Sequence, residues 1–182
     1  IQRVRMAESG SISASTAIFN EDGPGLKQQV TMREVMNSDV YPDTRAVEAI
    51  TGADLRAALE RCASYFLLQD GHVRVNPEFM HPKLRHYVYD IYSGIDYTFD
   101  LTKPFGQRVV QLDYHGAPVT ADQKLTVTLN HYRAGGGGNY PMYQTAKIIR
   151  RLPTDMTVLI ADYFAQHPVV NATQPTNFQV HY

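Results

Sequence analysis

The chain has 182 residues, 43% of them hydrophobic, which suits one domain, or one with a small appendage, built around a real core. Its 17 Lys and Arg against 18 Asp and Glu leave a net charge of -1, so charge gives no reason to expect a nucleic-acid polymer or an anionic membrane as partner; a small or neutral ligand fits better. No apolar run approaches the roughly 20 residues of a membrane helix, the first residues do not read as a signal peptide, and Cys62 stands alone, so no internal disulfide can form.

A chain that starts at Ile1 is expected to be part of a longer protein with domains upstream. Residues 11–18 alternate small and apolar types and predict a buried strand, followed by a loop at Gly23-Pro24-Gly25. Residues 31–36 predict a short helix with Thr31 as cap and Glu34 three positions on. A strand over 45–50 sets Ala46, Glu48 and Ile50 against Arg45, Val47 and Ala49. Thr51, with Asp54 at the third position, starts a helix whose core face is Leu55, Ala58, Leu59, Cys62 and Phe66.

Residues 67–86 carry Pro77 and Pro82 without clear periodicity and predict a long surface excursion. Strand-like runs at 89–100 and 108–114, a turn at 115–118 and a returning strand at 124–129 predict an antiparallel meander. In the last of these strands Leu125, Val127 and Leu129 oppose Thr126, Thr128 and Asn130, and the strand runs into Gly135, Gly136, Gly137 and Gly138 with Tyr132 and Arg133 at its exit. Such glycines adopt backbone angles closed to other residues and leave room for a flat ring. Asp155 lies at the start of a last helix with Met156, Leu159, Ile160, Tyr163 and Phe164 on one face, ended by Pro168, and residues 178–182 form a final strand. These elements predict an α+β fold, a mixed or antiparallel sheet with flanking helices.

Metal-dependent hydrolysis of phosphate esters needs several ligands brought together, but the seven histidines are scattered through the chain, and no metal site is expected from it alone. No Gly-x-Ser-x-Gly elbow supports a serine nucleophile, and Cys62 sits on an apolar helix face as a core residue. The remaining signal is aromatic: twelve tyrosines and no tryptophan, densest from His86 to Tyr97. Tyr89 and Tyr97 read as strand residues with packed rings, whereas for Tyr87 and Tyr92 the core and ligand-binding readings stand close, because both adjoin non-strand elements. Two rings on separate loops can sandwich a base, with about 1–3 kcal/mol of stacking each, and Tyr132 is the natural second ring.

Four segments in order, Ala49-Ile-Thr-Gly-Ala-Asp-Leu-Arg-Ala-Ala-Leu-Glu60, Tyr87-Val-Tyr-Asp-Ile-Tyr-Ser-Gly-Ile-Asp-Tyr97, Pro104-Phe-Gly-Gln-Arg-Val109 and Asn130-His-Tyr-Arg-Ala-Gly-Gly-Gly-Gly-Asn-Tyr140, resemble the C-terminal domain of the 5′-nucleotidase family. Within the family the likeness is greatest to the bifunctional 2′,3′-cyclic-nucleotide 2′-phosphodiesterases/3′-nucleotidases. The resemblance implies that residues 1–182 form one nucleoside-binding specificity domain, and that an N-terminal metallophosphoesterase domain, absent from this chain, partners it in cis and holds two divalent metal ions. No cofactor is expected on this domain itself, nor contact with a membrane. The resemblance further implies an extracellular, periplasmic or cell-wall location. It assigns Tyr132 to one face of a base and either Tyr87 or Tyr92 to the other, with Arg133, Gly135, Gly136 and Asp43 as further substrate-binding positions.

Three departures from the family pattern stand out. Ser9-Gly-Ser-Ile-Ser13 replaces a Gly-Gly-Gly-Ile-Arg stretch of 5′-nucleotidases, Val88 replaces an Asn, and Asp43 stands where an Asn is usual and can accept but not donate. The first of these favours the cyclic-nucleotide class over a 5′-nucleotidase.

Overall fold

The structure, a computed structural model, describes residues 12–16, 31, 33, 35, 43–167, 169 and 176–182. Two sheets and a hairpin make up its β structure. The larger sheet contains β1 (Ile12–Thr16), β2 (Arg45–Thr51), β5 (Asp90–Ser93), β9 (Lys124–Asn130) and β10 (Lys147–Leu152) in the order β10-β2-β9-β1-β5. Only the β1–β9 pair in it is parallel. The second sheet has the order β11-β6-β7-β8, with β6 (Asp96–Asp100), β7 (Val109–Tyr114), β8 (Ala117–Pro118) and β11 (Phe178–His181). β3 (Phe66–Gln69) and β4 (His72–Val75) form a separate hairpin. The class is α+β, as the sequence predicts.

β2 keeps the predicted alternation, burying Ala46, Glu48 and Ile50. At its end the chain turns into α1 (Gly52–Ala63) through a capping box: the Thr51 hydroxyl accepts the Asp54 amide at 3.2 Å, and the Asp54 carboxylate accepts the Thr51 amide at 2.8 Å. Gly52 is required there by space, because a Cβ would lie 2.0 Å from the Thr120 carbonyl oxygen. α1 packs on β2, β7 and the short α3 (Pro141–Gln144), so Leu55, Ala58, Leu59 and Cys62 seal the core between the two sheets. Arg108 closes the far end of the helix, donating to the carbonyls of Ala63 at 3.0 Å and Phe66 at 2.6 Å, while the Glu60 carboxylate accepts the amides of Arg108 and Val109.

Several expectations are corrected. Phe66 belongs to β3 rather than to the helix face, because α1 ends at Ala63. The segment read as an excursion contains the β3–β4 hairpin, turned at Asp70 and Gly71 with φ of 52° and 75°, and the short 3-10 helix Pro77–Phe79. The run 89–100 breaks at Gly94 (φ 88°), placing β5 and β6 in different sheets. β9 does not return to β7; it enters the larger sheet between β2 and β1, and the short β8 takes its place beside β7. β10 pairs antiparallel with β2 at the edge of the larger sheet, where the sequence pattern predicts no strand. α4 (Met156–Gln166) starts at Asp155 as predicted, but of its apolar face only Met156 is fully buried. Of the predicted 31–36 helix, helical positions 33 and 35 and a bond from the Val35 amide to the Thr31 carbonyl are seen; its other residues, and Pro168, lie outside the described residues.

Candidate functional site

β9 ends at Asn130, whose side chain accepts the Arg133 amide at 2.8 Å and starts the single-turn helix α2 (His131–Ala134). The glycine tract then folds back on that turn: the amides of Gly135, Gly136 and Gly137 donate to the carbonyls of His131, Arg133 and Tyr132. Gly136 and Gly138 take the left-handed conformation (φ 83° and 78°) that the sequence suggested for the tract. Gly137 is needed for a different reason. A Cβ there would stand 2.5 Å from two atoms of the Tyr132 ring, so the ring lies against bare backbone. Gly135, with only ordinary contacts around it, meets no such demand.

Tyr132 is 44% exposed, and Tyr87, on the 3-10 helix His86–Val88, is 41% exposed. Their ring centroids are 6.4 Å apart with the planes at 63°. Residues 45 positions apart in the sequence thus form one aromatic patch beside the glycine loop.

Tyr92 does not join them. It is fully buried, its hydroxyl 2.8 Å from that of Tyr143, and burial holds its phenol well above the usual range. As an alternative stacking ring it is therefore corrected to a core residue: β5 turns its side chain inward. Tyr89 and Tyr97 are buried as predicted.

Arg133 is also corrected as a direct ligand contact, being only 2% exposed. Its guanidinium forms a fork on Asp90, Nε to Oδ2 at 2.6 Å and Nη2 to Oδ1 at 2.8 Å, and lies over the Tyr140 ring at 4.1 Å. Burial alone would lower its pKa, but the charge and hydrogen bonds of Asp90 outweigh that and raise it. Around this pair Tyr140 donates to the Val88 carbonyl at 2.9 Å, and its hydroxyl lies 3.1 Å from Cys62 Sγ, whose thiol burial pushes up to about 12.

Asp43 is 9% exposed, with Oδ1 2.5 Å from His131 Nδ1. That nitrogen also lies 3.4 Å from the Thr44 amide; the much shorter contact makes the carboxylate its partner. Burial raises the Asp43 pKa and the neighbouring His131 partly offsets this. Asp43 thus lies beneath the half-exposed His131 imidazole, one position before Tyr132. Asp90 and His131 carry no site role in the sequence reading, because their partners Arg133 and Asp43 lie 43 and 88 residues away, whereas Gly137 belongs to the glycine tract read there as room for a flat ring.

Residues 2–145 match the family model described as 5′-nucleotidase, C-terminal domain. The chain belongs to that family. The 5′-nucleotidase C-terminal domain seen here is 25% identical over 163 residues to the trifunctional nucleotide phosphoesterase protein YfkN of Bacillus subtilis, covering 83% of this chain and 11% of that protein. It is 29% identical over 156 residues to a 2′,3′-cyclic-nucleotide 2′-phosphodiesterase/3′-nucleotidase of Haemophilus influenzae, covering 75% of this chain and 23% of the relative. A Staphylococcus aureus crystal structure assigned as a 5′-nucleotidase, in complex with alpha-ketoglutarate, superposes with a TM-score of 0.85 at 37% identity over 94% of this chain and 33% of that one. The domain thus spans between about a tenth and a third of the length of these relatives, which are nucleotidases and phosphoesterases. Among its described residues no three His, Cys, Asp or Glu side chains group as a metal site, and no helix is long and apolar enough to cross a membrane.

Proposed function

We propose that this domain holds the nucleoside of a nucleotide substrate for a two-domain, metal-dependent phosphoesterase of the 2′,3′-cyclic-nucleotide 2′-phosphodiesterase/3′-nucleotidase type. The observation that carries the reading is the half-exposed pair Tyr87 and Tyr132 beside a glycine loop, in a family whose named relatives act on nucleotides. A base stacked on Tyr132, with Gly137 backing the ring, gains about 1–3 kcal/mol whatever its identity, which suits a broad substrate range. Parallel rings around an intervening base need about 7 Å, two van der Waals separations. At 6.4 Å and 63° the pair meets edge to face, so Tyr87 turns its ring to complete the sandwich, a rotation open to an exposed side chain.

Hydrolysis belongs to the N-terminal metallophosphoesterase domain in cis, whose two divalent ions would supply an activated water to attack phosphorus. This domain's own residues bind and orient the nucleoside. The proposed setting is outside the cytoplasm. A 5′-nucleotidase specificity domain is the second reading, favoured by the 37% identity to the Staphylococcus aureus protein, and a non-catalytic nucleoside-binding module is the third.

An NMR titration of the chain with adenosine and 3′-AMP tests the proposal. Saturable shifts of the Tyr87 and Tyr132 ring resonances, lost in Tyr132→Ala, are expected, with dissociation constants in the millimolar range, about 4 kcal/mol of binding free energy. Equal binding by Tyr132→Ala refutes the stacking role. Metal-dependent turnover by a metal-free preparation of this chain refutes the division of labour between domains.

A further inference from the structure

We propose that Arg133 is a positioning residue, whose buried guanidinium holds together the two backbone segments that carry Tyr87 and Tyr132, and so sets the spacing of the rings, without touching the ligand. The inference rests on the base-stacking reading above and adds to it the device that shapes the site. Arg133 has three separate obligations. Its fork to Asp90 fixes it to the start of β5. Nη2 also reaches the carbonyls of Tyr87 at 3.3 Å and Val88 at 3.4 Å, on the turn that carries one ring. Nη1 donates to the carbonyl of Gly137, the residue against which the other ring lies. Both halves of the aromatic patch therefore converge on one side chain that lies deeper than either ring.

The surroundings are shaped to that side chain. A Cβ on Gly138 would stand 2.3 Å from Arg133 Nη1, and the Tyr140 ring covers one face of the guanidinium. The Gly138 carbonyl is taken by Arg61 Nε at 3.2 Å, so the loop is pinned from two sides. Lysine cannot replace this arrangement, since a compact ammonium lacks the planar fork that reaches a carboxylate and two chain segments at once. A buried ion pair is in itself weak evidence for stability, because desolvation offsets most of its attraction. Its bonds to both ring-bearing segments give it a positional role instead.

The test uses the 182-residue chain, adenosine as probe, and four variants. Arg133→Lys keeps the charge and loses the fork. The double variant Arg133→Met with Asp90→Leu removes both buried charges together, so neither is left unpaired in the core. Leu59→Ala, in α1, is the control for lost stability, and Tyr132→Ala the control for the stacking itself. Both Arg133 variants are expected to bind adenosine at least tenfold more weakly and to lose the NOE between the Tyr87 and Tyr132 rings. Leu59→Ala, despite a lower thermal midpoint, is expected to retain affinity and NOE. Arg133 variants that bind within twofold of wild type, or a loss in Leu59→Ala as large as theirs, overturn the positioning role. If Tyr132→Ala loses binding while the Arg133 variants keep it, only this proposal falls. If Tyr132→Ala binds like wild type, the stacking reading falls and this proposal with it.

Discussion

Glu48 offers the most exacting test of the physical reading of this fold. It lies on the core face of β2 between Ala46 and Ile50, opposite Val127 of β9 and Ile148 of β10, fully buried, with neither carboxylate oxygen hydrogen-bonded. Burial raises its pKa from 4.5 to about 7, partly countered by the charge of Arg151 on β10. Between those two values the folded protein retains a proton that the unfolded chain has released. The contribution of Glu48 to stability is therefore greatest below about pH 4.5, falls as pH rises, and levels off above about pH 7. At about 1.4 kcal/mol per pH unit the full effect amounts to about 3 kcal/mol. For a chain of this length that corresponds to a drop of about 6–12 °C in thermal midpoint. Glu48→Gln removes the ionisation and keeps the shape. Urea unfolding of both proteins at pH 5 and pH 8 should give similar stabilities at the lower pH and a variant more stable by about 2–3 kcal/mol at the higher. Identical pH dependence of wild type and variant between 5 and 8 would refute the argument that a desolvated carboxyl governs it.

Two further substitutions separate the core tyrosine from the exposed ones. Gly137→Ala places a methyl group where the Tyr132 ring lies, so it is expected to weaken adenosine binding by up to the stacking energy of one ring, about 1–3 kcal/mol, measured by the same NMR titration; unchanged affinity would show that the ring does not depend on that contact. Tyr92→Phe removes the hydroxyl facing Tyr143 and leaves that group buried without this partner, so urea unfolding should show a loss of about 1–3 kcal/mol while adenosine affinity stays the same. A loss of affinity without loss of stability would return Tyr92 to the site.

What the sequence determined by itself is the local part of this structure. The Thr51 and Asp54 cap, the buried alternation of Ala46, Glu48 and Ile50, the helix face from Leu55 to Cys62 and the left-handed glycines at 136 and 138 all follow from interactions within a few residues of one chain segment. Which neighbour a strand takes is different. Alternation tells which face of β9 is buried but not which edge it meets, so a return to β7 and an insertion between β2 and β1 fit the same pattern of Leu125, Val127 and Leu129.

The site divides in the same way. Tyr132 and the glycines announce an open aromatic place because their requirement is local. Tyr87 and Tyr92 have the same side chain five residues apart, and only the turn before β5 decides that one ring faces solvent and the other Tyr143. Arg133 next to an exposed tyrosine reads as a ligand contact until its partner is known. That partner, Asp90, is 43 residues away, and only tertiary packing brings its carboxylate to the guanidinium and turns a surface charge into a buried one.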